Sequence, residues 1–96
     1  MPISSDSSIH FVKSHPDYFL NILNGVCFHE LRKNDRDYKV GDAMVLMEWN
    51  PIDEEYSGRE LLVDITDKTD LHNVCAVSTV ALHPDYCILS IKIRKI

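Results

Sequence analysis

Apolar and polar residues alternate one by one near the C-terminal end of this 96-residue chain. Every second residue from Cys87 to Ile93 is apolar, and the opposite side carries Ser90, Lys92 and Arg94. Successive side chains of a strand point to opposite faces of a sheet, so this period of two predicts a half-buried strand. It is the clearest strand signal in the sequence.

Weaker strand patterns occur in four earlier segments, which are residues 9–13, 26–32, 43–49 and 61–66. In the second of them, Glu30 and Arg32 share a face, which places a carboxylate beside a guanidinium. Residues 50–58 contain Pro51, Gly58 and three consecutive acids, and this composition predicts a hairpin loop. We expect polar or tight turns at 33–37 and 40–42, and residues 67–84 show no clear pattern.

Apolar residues three to four positions apart, the spacing of one helix face, occur once, directly after the first strand segment. Ser14 and Pro16 are typical of a helix start, since serine can cap and proline tolerates the first turn. The apolar residues between Phe19 and Leu23 then fall on one side, and Gly25 is a candidate for the helix end. A helix of about two turns needs its apolar face packed to persist.

Together these elements predict an α+β fold, a small β-barrel of about five to six mostly antiparallel strands with one short N-terminal helix. Residues 1–8 are expected to form a flexible tail, and residues 9–96 a single domain.

The charge is unevenly distributed. The chain carries a formal net charge of −5, which excludes a protein held on nucleic acid by bulk positive charge. Residues 48–70 hold eight acids and two bases, whereas the rest of the chain holds eight bases and seven acids. The acidity therefore belongs to one segment, and the polar segment from His29 to Asp42 is balanced, with four bases and four acids.

The sequence favours a cytoplasmic protein. Residues 1–8 lack the basic and apolar character of a signal peptide, and the longest apolar run, residues 43–47, is far below the ~20 residues needed to span a bilayer. Three cysteines cannot all pair within one chain, which fits a reducing compartment. We expect no membrane association, no cofactor and no metal, and either a monomer or a small homo-oligomer.

Several motifs resemble one known domain family. The segments that carry the likeness are S-H-P-D-Y-F at 14–19, E-L-R-K-N-D-R-D-Y at 30–38 and V-G-D at 40–42, with further matches at 49–51, 56–60 and 86–91. They resemble the ASCH domain, a branch of the PUA-like superfamily, and in particular a small phage and bacterial subfamily without an assigned function. The resemblance covers roughly residues 9–93 and implies a PUA-like β-barrel with a cleft beside the first helix.

The resemblance implies RNA or nucleotide binding in that cleft. The candidate binding residues combine donors for phosphate or base with a ring that can stack: Lys13, Glu30, Arg32, Lys33, Asn34, Arg36, Tyr38 and Lys39. The family motif G-x-K-x-x-E-x-R keeps Gly25, Glu30 and Arg32, but its lysine position holds Cys27. Hydrolytic relatives rely on that lysine, so we expect no catalytic residue here, with Glu30 as the candidate if the protein is an enzyme on modified nucleosides.

Other interpretations stay open at this level. Cys27 and His29 could form a nucleophilic dyad, although a packed thiol is the simpler reading. His72, Cys75, His83 and Cys87 have spacings that resemble zinc-ligand pairs, although Cys87 shares its face with core residues.

Two further features have a structural and a functional reading. Trp49 could cap the core or offer a stacking platform at the rim of the cleft. The acids at 53–55 are those of a hydrated hairpin tip, or part of an acidic 48–70 face that binds a host protein.

Overall fold

The computed structural model describes residues 8–72 and 83–94, which form one short helix and five strands. In chain order they are β1 (Ile9–Ser14), α1 (Pro16–Leu23), β2 (His29–Lys33), β3 (Ala43–Asn50), β4 (Glu55–Thr69) and β5 (Tyr86–Ile93). The strands form a single curled sheet in the order β1-β3-β4-β5-β2, in which β1 runs parallel to β3 and the other pairs are antiparallel. This mostly β half-barrel with one short helix confirms the expected fold class.

Two arginines link the edge strands of the sheet. β1 and β2 lie at opposite ends of the strand order. Arg32 Nη1 donates to the carbonyl oxygen of Lys13 at 3.3 Å, and Arg36 Nη1 donates to that of Phe11 at 2.7 Å. These carbonyls belong to the side of β1 that has no strand partner. The guanidinium groups therefore donate to carbonyl oxygens that would otherwise be unpaired at the open edge of the sheet. The sheet is thereby drawn toward a closed barrel.

The inner face of the sheet is apolar for most of its length and polar at one end. Its core is formed by Val12, Met44, Leu46, Val63, Ile65, Cys87, Leu89 and Ile91, with Phe19 and Ile22 of the helix and with Tyr38. Beyond Val12 and Leu46 on the same strands, the next inward residues are Ser14 and Glu48, which are partners in the β1–β3 register and are both buried. The polar end of the core lies where α1 begins.

α1 starts without the serine cap that the sequence suggested. Ser14 is the last residue of β1, the N-cap is His15 with no side-chain cap bond, and Pro16 opens the helix. The serine cap is therefore wrong, because strand pairing directs Ser14 into the interior. Phe19 and Ile22 are buried, and α1 packs against β3, which supplies the packing that so short a helix needs.

The loop predicted at 50–58 is shorter in the structure. β3 extends to Asn50 and β4 begins at Glu55, so only four residues connect the strands. The register shifts between Met47, opposite Glu60, and Trp49, opposite Tyr56, which leaves three residues of β4 facing Glu48. This bulge brings Arg59 onto Glu48, to which Nε and Nη2 donate at 2.9 and 2.7 Å.

Gly58 lies in this bulge at φ +95°, a conformation that L residues adopt only with strain. A Cβ at this position would meet no atom within 4 Å, so the cost of Gly58→Ala comes from the backbone alone. We expect a loss of about 1–2 kcal/mol in the free energy of unfolding. Urea unfolding checks this value, and an unchanged midpoint would show that the bulge relaxes without cost.

Parts of the sequence predictions lie outside the described residues. They include all of the expected tail except Ser8, and residues 73–82 of the segment that showed no clear pattern; residues 67–69 of that segment extend β4. In the described ranges, the only helix is far too short and insufficiently apolar to cross a bilayer.

Candidate functional site

A cavity of about 360 Å³ opens between the end of β1, the start of α1 and the strand β2. Its lining residues come from these three elements and are Lys13, Ser14, His15, Tyr18, Glu30, Leu31 and Arg32. The volume lies within the range of small-molecule sites and suits a ligand of the size of a nucleoside. The helix start and the two edge strands meet here, so the cavity lies where the half-barrel is not closed by strand pairing.

Glu30 and Arg32 form the polar centre of the cavity. They are two residues apart on β2 and share its inward face, and Arg32 Nη1 donates to Glu30 Oε2 at 3.0 Å. Burial raises the pKa of Glu30 above its ordinary value of 4.5, although Arg32 and His29 oppose the shift. A carboxylate held in this way retains its charge only at a cost in stability.

Two buried oxygen atoms of the cavity residues make no hydrogen bond. They are Oε1 of Glu30 and Oγ of Ser14, whose residues are 3% and 4% exposed. Buried polar atoms are nearly always paired in folded proteins, and an unpaired one costs about 1–3 kcal/mol. Both residues line the same cavity, so a molecule that enters it is the candidate partner for the two oxygens.

Lys13 connects the cavity with an aromatic pair on the neighbouring strands. Its Nζ lies 3.9 Å from the centroid of the Trp49 ring, which meets Tyr56 edge to face at 4.8 Å. Trp49 is half-buried and Tyr56 is exposed. The ammonium group of Lys13 is therefore held against an indole face, where it contributes cation–π stabilisation.

Three of the predicted binding residues line the cavity together: Lys13, Glu30 and Arg32. The remaining five do not line it. Lys33 is exposed at the end of β2, and the backbone N–H of Asn34 donates to the carbonyl of Asp85 at 2.7 Å. Arg36 is bonded to β1, and Lys39 pairs with Asp37 at 3.5 Å.

Tyr38 cannot stack on a ligand in this conformation. Only 2% of the residue is exposed, since it is part of the core and meets the His10 ring at 4.8 Å. The prediction of an accessible ring is therefore wrong for Tyr38. The physical reason is that the ring buries its apolar surface in the core, although its neighbours Asp37 and Lys39 are exposed.

Sequence reasoning missed Ser14, His15 and Tyr18 as cavity residues. The segment S-H-P-D-Y carries the signal, but local rules interpret its serine and proline only as a helix start. Tyr18 donates from its hydroxyl to the carbonyl oxygen of His29 at 3.2 Å, which holds α1 against β2. Burial, with Cys27 and Glu30 adding to it, raises the pKa of Tyr18, so its phenol stays neutral.

Cys27 and His29 are close in space, but no third side chain within residues 8–72 and 83–94 forms a hydrogen bond that orients the His29 ring. Sγ of Cys27 lies 3.6 Å from Nδ1 of His29 and 3.4 Å from the carbonyl oxygen of the same residue. Cys27 precedes β2 and is half-buried against the core, whereas His29 is exposed. This placement is the packed thiol that the simpler reading predicted.

The zinc interpretation finds no support in the described ranges. Cys75 lies outside them, and Cys87 is fully buried among apolar residues, as expected for a core thiol. His83 is exposed and accepts a bond from the backbone of Asp85. Within residues 8–72 and 83–94, no group of three or more metal-ligating side chains comes together.

A second cavity of about 310 Å³ lies on the other side of the start of α1. Its lining is acidic and includes Glu48, Asp53 and Glu55. Arg59 already binds both oxygens of Glu48. This cavity has no buried oxygen without a partner among the described residues, which distinguishes it from the cavity at Glu30.

A family model described as a domain of unknown function, DUF3850, matches residues 9–91. The chain belongs to this family. It is also similar to a protein of Escherichia phage P2 named "Uncharacterized 12.9 kDa protein in GpA 3'region", with 43% identity over 65 residues. The matched region covers 68% of this chain and 58% of the phage protein, so the chain spans less than two thirds of that relative.

Proposed function

We propose that this DUF3850 domain is an RNA- or nucleotide-binding module of the ASCH and PUA-like type, whose ligand enters the cavity beside Glu30. The observation that carries the proposal is the pair of buried, unpartnered oxygens on Ser14 and Glu30, two residues that line one cavity of nucleoside size. A bound molecule that bonds to both oxygens removes their desolvation cost, and that gain contributes directly to affinity.

The proposed site is smaller than the sequence suggested. Lys13, Ser14, Tyr18, Glu30 and Arg32 form it, with Tyr18 as the ring that lines the cavity. Lys33 stays in the proposal as an exposed cation at the end of β2 that can contact a phosphate outside the cavity. Because few phosphates are neutralised by such a site, binding should depend only weakly on salt concentration.

Ser14→Ala is the variant that tests the site with least damage to the fold. It removes a buried hydroxyl that makes no bond, so we expect the free energy of unfolding to rise by about 1 kcal/mol. The same change should weaken binding of a short single-stranded RNA by about 5–10-fold, because one hydrogen bond to the ligand is lost. Urea unfolding and titration calorimetry measure the two effects.

Ser57→Ala is the matched control, since Ser57 lines the acidic cavity on the other side of α1 and is exposed. Its affinity for the RNA should equal that of the parent. Equal affinity of Ser14→Ala and the parent, with both folded, would refute this placement of the site.

The acidic hairpin supports a second candidate function, binding of a basic host protein. Residues 51–60 are all exposed and carry Asp53, Glu54, Glu55 and Glu60, while Arg59 is held by Glu48. A pull-down with and without nuclease treatment distinguishes the two functions. Capture that survives nuclease and disappears on Glu54→Lys and Glu55→Lys substitution supports the hairpin, and capture that depends on RNA supports the cavity.

A further inference from the structure

The protein forms a hydrogen bond with only one of the two carboxylate oxygens of Glu30. Oε2 accepts from Arg32 at 3.0 Å, whereas Oε1 is buried without a donor, in a residue that lines the cavity. An ionised carboxylate oxygen is an acceptor only, so its missing partner must be an N–H or O–H group. A ligand that fills the cavity must therefore present a donor at Oε1.

Phosphate does not meet this requirement. Its oxygens are acceptors and carry negative charge, so a phosphate placed at Oε1 would be repelled. Two of the cations that the sequence suggested are also engaged, since Arg36 bonds to β1 and the ammonium group of Lys13 lies over Trp49. Lys33 is exposed but does not line the cavity. The group recognised inside the cavity is therefore the base and not the phosphate.

Arg32 supplies a donor next to this acceptor. Its Nη1 carries the bonds to both Glu30 and Lys13, and the Tyr38 hydroxyl is a further hydrogen-bond partner of the guanidinium. A guanidinium has five N–H groups, so N–H donors remain beyond these three bonds. Ser14 of β1 lines the same cavity, and its buried Oγ can donate or accept. An acceptor beside a donor matches the hydrogen-bonding edge of a nucleobase, where an N–H neighbours a ring nitrogen or a carbonyl oxygen.

We infer that the cavity reads the Watson–Crick edge of a single unpaired nucleobase, with Glu30 Oε1 accepting an N–H of the base. The inference rests on the proposed function and names its ligand class more narrowly. In a duplex this edge is occupied by the complementary base, so the ligand is single-stranded or has its base turned out of the stack. Tyr18 and Leu31 supply the less polar walls against which a planar ring can lie.

Edge-methylated nucleotides test the inference. The four ribonucleoside 5′-monophosphates are titrated into ¹⁵N-labelled protein, and the tightest binder is compared with its counterpart methylated at the Watson–Crick edge. Those counterparts are N6,N6-dimethyladenosine, N4,N4-dimethylcytidine, 1-methylguanosine and 3-methyluridine monophosphate. We expect the methylated edge to weaken binding at least tenfold, and 2′-O-methylation to change it by no more than about twofold.

Glu30→Gln provides a second readout. When Arg32 donates to the amide oxygen, the amide nitrogen faces the ligand in place of Oε1, and an acceptor becomes a donor. The preference for the unmethylated edge should then fall to less than threefold. Glu55→Gln, in the acidic cavity, is the matched control and should keep the full preference.

The outcomes separate the two proposals. Nucleotide binding at the cavity that is equally tight for methylated and unmethylated edges overturns this inference and leaves the proposed function standing. If neither the nucleotides nor a single-stranded RNA shift the signals of the cavity residues, both proposals are wrong.

Discussion

Asp42→Ala is expected to lower the free energy of unfolding by about 3 kcal/mol. Asp42 is 2% exposed and accepts three bonds: from the backbone N–H of Ser8 at 3.0 Å, from Nε2 of His10 at 2.8 Å and from the backbone N–H of Lys39 at 3.1 Å. Alanine leaves these partners without an acceptor and removes the tie between β1 and the turn that enters β3. Urea unfolding at neutral pH measures the loss.

The carboxylate of Asp42 also makes the free energy of unfolding depend on pH in the acidic range. Burial raises the pKa of Asp42, but the bonds from His10, Ser8 and Lys39 outweigh it and hold the pKa below its ordinary value of 3.8. The stabilisation is therefore complete above pH 3.8 and is lost as pH falls through the lower pKa of the folded state. Asp42→Asn should lack this acid-dependent loss. A loss of the same size in Asp42→Asn would show that other carboxylates cause it.

Glu30→Gln is expected to strengthen the fold and weaken ligand binding. The folded-state pKa of Glu30 is raised by burial, so the fold favours the neutral form, and a neutral amide of the same shape avoids the cost of the charge. At neutral pH the variant should unfold at a higher urea concentration than the parent. Its affinity for single-stranded RNA should fall by about tenfold or more, because a bond to a charged acceptor is lost.

The difference in free energy of unfolding between Glu30→Gln and the parent depends on pH, and the raised pKa of Glu30 sets the sign. Between the unfolded-state pKa of 4.5 and the higher pKa of the folded state, the folded parent binds more protons, so its stability falls as pH rises. The gain of Glu30→Gln should therefore be small below pH 4.5 and grow above it. The ionisable groups around Glu30 are Arg32, His29, Tyr18 and Lys13, and none of them is altered by the substitution. A gain that shrinks with rising pH would contradict the burial of a charged Glu30.

Sequence patterns predicted the strands well where a single face is buried. The alternation from Cys87 to Ile93 corresponds to β5, and the shared face of Glu30 and Arg32 is the inward face of β2. Both follow from the period of two, which depends only on local geometry. The partners of these strands do not follow from it, and neither does the parallel pairing of β1 with β3.

The candidate site was predicted only in part, since a cavity is a property of tertiary contacts. Ser14 was assigned to a cap because local rules favour serine before a helix, but its pairing with Glu48 turns it inward. Tyr38 and Arg36 were assigned to the ligand because they lie in a polar segment. In the structure the first joins the core and the second closes the edge of the sheet. The polar segment thus builds the barrel as well as the site.

We propose that the ligand enters the cavity between β1, α1 and β2. Titrating a short single-stranded RNA of mixed sequence into ¹⁵N-labelled protein and mapping the amide shifts tests this placement. We expect the largest shifts at Ser14, His15, Glu30, Leu31 and Arg32, and their loss in the double variant Ser14→Ala, Glu30→Gln. Shifts confined to the hairpin at 51–60, or no shifts at all, would contradict it.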